Sequence, residues 1–189
     1  MLIPLTPEWR ADRERRRRAA VYLAAVRRDP EEEDVRWLAD AAALGDVDHA
    51  RWELRYARLA LAALAAQRDA LDDRTGSDFV VALSDAMAQD PNIAPDMRVV
   101  AEKQFNERLG AYRDALNTRG GAVGSGERLG RVLLAFASDG ARSAGVPLPR
   151  AVELLSGYIA DANQALRAAY GEAQLPEHVP PSELGGLKG

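Results

Sequence analysis

The sequence predicts an all-α fold: a compact multi-helix bundle of about six helices around one long central Ala/Leu-rich helix. Three observations carry that expectation. Hydrophobic residues fill 47% of the 189 positions while aromatics fill only 6%, so small aliphatic contacts must supply most of the packing. The chain holds 36 alanines, the best helix former, and its long Ala, Leu, Arg and Glu stretches with few β-branched residues argue against a sheet. The third is the run Leu59-Ala60-Leu61-Ala62-Ala63-Leu64-Ala65-Ala66, which has no polar side chain. A helix apolar all the way round must be covered on every side. The run is far shorter than the roughly 20 residues that cross a bilayer. No membrane span is therefore expected, and the cover must come from other helices of this chain or of a partner.

Each element follows in order. Thr6 and Pro7 read as a helix start, with Thr6 as cap and Pro7 at the first helical position, where a missing N–H costs nothing. The first helix is expected to run to about 28. Asp29-Pro30 repeats the cap-plus-proline signal, and Glu31-Glu32-Glu33 suit the positive end of a helix dipole. That second helix is expected to end near Leu44, with Gly45 as a left-handed stop. Asp46 opens the long helix, expected over 46–74. Trp52, Tyr56, Leu59, Ala63, Ala66 and Ala70 fall at steps of four and three, and Leu54, Leu61, Leu64 and Leu71 form a second stripe beside them. Together the stripes are too broad for one zipper seam and mark a bundle centre.

Thr75-Gly76-Ser77 is expected to break or kink the helix. Helix resumes over 78–89, with Phe79, Val80, Leu83 and Met87 on one face. Two prolines and Asn92 make 90–95 a loop. The helix over 95–118 carries Ala101, Phe105, Leu109, Tyr112 and Leu116 at helical spacing. The Gly-rich 120–126 reads as a linker. A helix over 127–142 turns Leu129, Val132, Leu133 and Phe136 inward, and the Pro-containing 145–149 ends it. The last helix, 149–170, has Val152, Leu155, Ile159, Ala162, Leu166 and Ala169 close to ideal spacing. No repeat of fixed period is present. The expected organisation is a single helical domain over 1–171, with a 6–44 N-terminal helical arm and a 46–171 bundle core. An extended Pro/Gly-containing tail follows over 172–189.

The chain lacks the residues that most chemistries need. It has no Cys, which removes disulfides, thiolate catalysis, iron–sulfur clusters and Cys-ligated zinc together. That is compatible with the expected cytoplasmic location. No secretory signal is expected, because the apolar start is followed by charge. Lysine occurs only at Lys103 and Lys188, the Arg- and Ala-rich usage of a GC-rich bacterial genome.

Bundle di-iron sites need inward Glu residues and two Glu-x-x-His pairs. Here the only histidines are His49 and His178. Asp46 and Glu53 flank His49, which reads as a capped helix start with local ion pairing. No Gly-x-Ser-x-Gly elbow occurs, and 120–126 lacks the Lys-Ser/Thr ending of a phosphate loop. No catalytic residue, metal or cofactor is expected, and the reading leans away from an enzyme.

Three sets of residues are candidates for binding. Arg13, Arg15, Arg16, Arg17 and Arg18 form the densest charge cluster and a possible partner surface. Asp12 and Glu14 precede Arg16 and Arg18 by four residues, the favourable order for helical pairs, and Glu31 to Asp34 stand where they could fold back on the arginines. A net charge of −4 and a pI near 5.3 disfavour nucleic acid, with Arg15–Arg18 the one exception left open. Trp52, Tyr56, Tyr112, Asp139 and Tyr158 are the candidate lining of a small-molecule pocket. Asp139 follows a strongly apolar turn. Buried, its carboxylate would need a partner; at the end of its helix it would reach the surface.

The third set is the C-terminal Leu184-Gly185-Gly186-Leu187-Lys188-Gly189, behind a Pro-rich leader. It resembles the C-terminal targeting peptides of encapsulin cargo proteins, in which small residues separate two apolar anchors ahead of a basic residue. The resemblance covers six residues and lacks the family's middle Ile/Val anchor and its Ser. It implies a docking tail in which Leu184, Leu187 and Lys188 make the contacts; a plain extended end is the competing reading. No family resemblance covers the helical body.

Abundant apolar helix faces beside so few catalytic side chains lead to one expectation: a non-catalytic interaction or scaffold protein that self-associates as a homo-oligomer. The alternatives are a small-molecule-binding bundle, as a sensor or minor enzyme, and a cargo or docking protein that uses its tail.

Overall fold

The computed structural model describes residues 6–69, 73–118, 123–138 and 148–171. Among them lie seven α-helices and no strand: α1 Pro7–Val26, α2 Glu32–Ala41, α3 Val47–Asp69, α4 Asp73–Ala88, α5 Arg98–Asn117, α6 Ser125–Ala137 and α7 Leu148–Tyr170. A single 3-10 turn, Pro95–Met97, leads into α5. The all-α bundle is the fold the sequence predicts.

Helix α3 is the axis. It touches each of the other six helices. From Ala60 to Ala66 every residue is buried, Ala60, Ala62 and Ala63 completely. The cover that an all-round apolar helix requires is thus supplied by this chain. The other helices each bring one apolar stripe: Val35, Leu38 and Ala39 from α2, Phe79 and Leu83 from α4, Leu129 and Leu133 from α6, Leu155, Ala162 and Leu166 from α7. Helix α1 adds Tyr22, fully buried against Phe79 at 4.8 Å between ring centres, its hydroxyl donating to Ala62 O at 2.9 Å. One continuous core cluster includes residues of all seven helices.

Local caps account for three of the boundaries. Thr6 accepts a hydrogen bond from Trp9 N at 3.2 Å, and Asp46 accepts one from His49 N at 2.9 Å. Helix α2 is followed by consecutive left-handed residues, Leu44 (φ 52) and Gly45 (φ 84), and Gly45 N donates back to Ala39 O at 2.9 Å. Only glycine adopts this conformation freely, so Gly45 suits the turn that follows, but α2 itself stops at Ala41 with Ala42 as its C-cap, short of the expected end near Leu44.

Four further expectations are revised. Asp29 does not cap α2, whose N-cap is Glu31 without a side-chain bond; Asp29 instead accepts from Arg55 Nε at 3.1 Å. Thr75-Gly76-Ser77 does not interrupt α4, which runs through it from Asp73. A Cβ on Gly76 would sit 3.1 Å from Gln67 Cγ, so the small residue lets the α4 start lie close to the end of α3. Residues 70–72, between the two helices, lie outside the described residues. The third revision is at 120–126: Gly124 caps α6, and Ser125 and Gly126 already form its first turn. The fourth is that α6 ends at Ala137, not near 142.

Two helical glycines separate propensity from packing. Around Gly110 nothing lies within 4 Å of an added Cβ, whereas at Gly130 it would meet Leu148 Cδ1 at 2.8 Å and Val152 Cγ2 at 3.1 Å. Gly110→Ala should raise the unfolding free energy by about 0.5–1 kcal/mol. Gly130→Ala should lower it by about 1 kcal/mol, because overpacking outweighs the same propensity gain. Urea denaturation of the two variants side by side checks this.

Candidate functional site

The charges of α3 organise the polar parts of the molecule. Arg51, Arg55 and Arg58 fall at steps of four and three, so they line one stripe of the helix. The first two are answered from the α1–α2 region. Arg51 Nη2 donates to Glu32 Oε2 at 3.2 Å, and Arg55 Nε to Asp29, with the Arg55 guanidinium also 5.0 Å from the Trp52 ring centre. Arg58 has no such answer. Among the described residues no carboxylate lies within ion-pair distance of it, and its buried Nε makes no hydrogen bond.

On the opposite side of α3, Glu53 is 3% exposed and points into the core. Arg108 of α5 meets it there. Its Nε donates to Oε2 at 2.9 Å, its Nη2 to Oε1, and its Nη1 to Gln104 O at 3.1 Å. The guanidinium is stacked between the rings of Phe136, 4.4 Å away, and Tyr56, 5.3 Å away. Burial pulls the Arg108 pKa down, but the hydrogen bond and charge of Glu53 outweigh it, so the net shift is upward. Nearby, Tyr112 is 1% exposed and its hydroxyl is pushed well up by burial. This is a buried lock between α3, α5 and α6.

Two cavities open on either side of the end of α1, sharing Val26 and Arg28. The first, about 130 Å³, has Trp52, Tyr56, Leu59, Met87 and Ile93 among its walls. Trp52 and Tyr56 face each other at 5.6 Å. Two ion pairs stand at its rim: Arg27 Nη2 donates to Asp90 Oδ2 at 2.8 Å, and Asp29 holds Arg55, while Arg28 lines both cavities. Asp90 also accepts from Asn92 N at 2.9 Å. Burial works to raise the Asp90 pKa, but these bonds overcome it and hold the carboxyl below the usual range.

The second cavity, about 290 Å³, lies between the end of α1, Arg58 of α3 and the second half of α7. Its walls are Ala25, Val26, Ala162, Ala165 and Ala168, and its polar groups are Arg28, Arg58, Tyr158, Asp161 and Gln164. Tyr158 is 3% exposed and its buried hydroxyl has no hydrogen-bond partner, while the Arg58 guanidinium lies 4.3 Å from the centre of its ring. Burial pushes the Tyr158 hydroxyl up to about 12, against the pull of Arg58, so it stays protonated and able to donate. Leaving a buried donor unpaired costs about 1–3 kcal/mol.

No family model, no curated protein and no solved structure matches the chain.

The candidate residues named from the sequence are distributed as follows. Trp52 and Tyr56 share the first cavity, Tyr158 is in the second, Tyr112 lies in the solid core, and Asp139 is outside the described residues. They do not converge on one pocket. In the arginine cluster, Arg15 and Arg16 pair with Asp12 at 2.9 Å, and Arg17 and Arg18 with Glu14 at 2.9 and 3.0 Å. Those bonds hold the Glu14 carboxyl down, at about 2. Arg13 lies over Trp9 at 5.4 Å, and Arg15 reaches Asp78 of α4 at 3.3 Å. The acidic run does not fold back on these arginines, because Glu32 is held by Arg51 and Asp34 by Arg150. Leu184, Leu187 and Lys188 lie outside the described residues. Among those residues no group of three or more His, Asp or Glu could hold a metal ion, and no helix is long and apolar enough to cross a membrane.

Sequence reasoning missed Arg58 and the Glu53–Arg108 lock. A signal was present: neither Arg58 nor Arg108 has an acidic residue three or four positions away in either direction, so each needs a partner from elsewhere.

Two outcomes are expected. Arg108→Ala should destabilise the protein by about 3–5 kcal/mol because Glu53 stays buried without a counter-charge, while the double variant E53M/R108M should recover most of that loss. Chemical denaturation of the three proteins checks it. Asp90→Asn should cost about 1 kcal/mol near neutral pH. Because the folded Asp90 pKa is below its unfolded value, that contribution is present above the ordinary Asp value of 3.8 and disappears as pH falls through the folded pKa. Melting curves of wild type and variant should therefore converge in acid.

Proposed function

We propose that this chain is a non-catalytic interaction protein that self-associates through its α4–α5 face. One observation carries the reading. Among the described residues, five of the nine exposed large hydrophobics, Val80, Val81, Met97, Val99 and Val100, sit on α4, the 3-10 turn and the first turn of α5. They accompany a mainly apolar groove of about 150 Å³ between these two helices, with Leu83, Met87 and Phe105 in its lining. Exposed apolar surface with a polar rim favours contact with another protein. The rim carries Arg98 and Glu102, opposite charges one turn apart, a pattern that a two-fold contact can match with itself.

Because α3 is already covered within the chain, association has to use a surface such as this one. The reading requires no cofactor or metal, and the absence of Cys suits the cytoplasm. Nucleic acid is disfavoured as a partner, since Arg15 to Arg18 are paired with acids of their own helix. Docking through Leu184, Leu187 and Lys188 rests on the sequence alone. A second reading, binding of a small molecule, is favoured by the unpartnered donors of the second cavity.

Light scattering at low and high salt tests the association. A salt-resistant mass well above the 20.5 kDa of one chain is expected, falling to that value in the double variant V81E/V99E with unchanged helicity. A wild-type mass of 20.5 kDa over the whole concentration range would overturn the reading.

A further inference from the structure

We propose that the second cavity binds a small organic carboxylate, with Arg58 and the Tyr158 hydroxyl receiving its carboxylate group and the alanines of α7 flanking its apolar body. The stripe Arg51, Arg55, Arg58 is the first argument. Its first two members each hold a carboxylate, from Glu32 and Asp29, and the third holds none although its Nε is buried. A ligand carboxylate would occupy the place that protein carboxylates take along the rest of the stripe.

The second argument is convergence. Two buried donors without partners, Arg58 Nε and Tyr158 Oη, belong to side chains in direct contact on the wall of one cavity. A water could accept from both, but it would leave the Arg58 charge unmatched. The planar guanidinium fork suits a carboxylate, and a donor that stays protonated beside it adds a further hydrogen bond.

Size and wall chemistry narrow the class. The cavity, about 290 Å³, is larger than the roughly 150 Å³ that accommodates a benzene ring. Ala25, Ala162, Ala165 and Ala168 offer flat apolar contact. Arg28 and Arg58 against Asp161 give the lining one net positive charge, which suits a monoanion better than a dianionic phosphate. Asp161 lies on the wall beyond ion-pair distance of Arg58, so it tunes the site without neutralising it. The site is built from α1, α3 and α7, apart from the α4–α5 face, and its test is independent of the association reading.

The experiment is calorimetric titration of the full chain with benzoate, its uncharged isostere benzamide, and inorganic phosphate. Benzoate should bind, and benzamide should bind about tenfold or more weakly. Arg58→Gln should weaken benzoate by about tenfold or more, and Tyr158→Phe, which removes only the hydroxyl and keeps the ring under Arg58, by about fivefold. Asp161→Asn should tighten it. Absence of benzoate binding, equal binding of benzamide, tighter binding of phosphate, or unchanged affinity in the folded Tyr158→Phe protein would each overturn the proposal.

Discussion

The structure depends on one constraint: the middle of α3 is apolar on every side and has to be shielded from water all round. Six helices do this, each contributing one stripe. The low aromatic content is consistent with that arrangement, because an axis made of Ala and Leu lets its neighbours approach closely and leaves little space for rings. The rings that do occur pair with one another, Tyr22 with Phe79 and Tyr56 with Phe105. A bundle closed in this way leaves no face of the buried Ala60–Ala66 stretch for a partner. Among the described residues, four of the nine exposed large hydrophobics, Val80, Val81, Val99 and Val100, lie on the covering helices α4 and α5.

The same constraint governs charge. Polar residues on a central helix cannot rely on solvent, so their partners must come from other elements. Glu53 is matched by Arg108, Arg51 by Glu32 and Arg55 by Asp29. A buried ion pair contributes little net stability over an apolar pair of similar size, yet losing one partner is expensive. The Glu53–Arg108 pair is therefore costly to break more than it is a source of net stability. Arg58 is the exception to the pattern: it has no carboxylate partner among the described residues, and it lines the second cavity.

Most helices were legible because their signals are local. Periodic apolar stripes, Thr6 and Asp46 as caps, and Gly45 in the turn after α2 act within a few residues of the boundaries they mark. Thr75-Gly76-Ser77 was misread because glycine has two meanings, a break or a close approach, and the nearness of Gln67 selects the second. Asp29 was misread because its carboxylate had two possible partners, and Arg55 on a neighbouring helix took it. Of the aromatic candidates, Trp52 and Tyr56 line one cavity, Tyr158 another, and Tyr112 lies in the core. Periodicity gives the face a residue occupies on its own helix and says nothing of which neighbour meets it.

The sequence by itself determined the all-α class, the axial role of the apolar run in α3, and the poverty of catalytic side chains, because each follows from composition and local spacing. Only the tertiary structure decided that the cover of α3 comes from its own chain, that Arg108 reaches Glu53, and that Arg58 and Tyr158 meet at a cavity. Those outcomes depend on contacts between residues 55 and 100 positions apart, set by how seven helices pack together, and no local pattern encodes them.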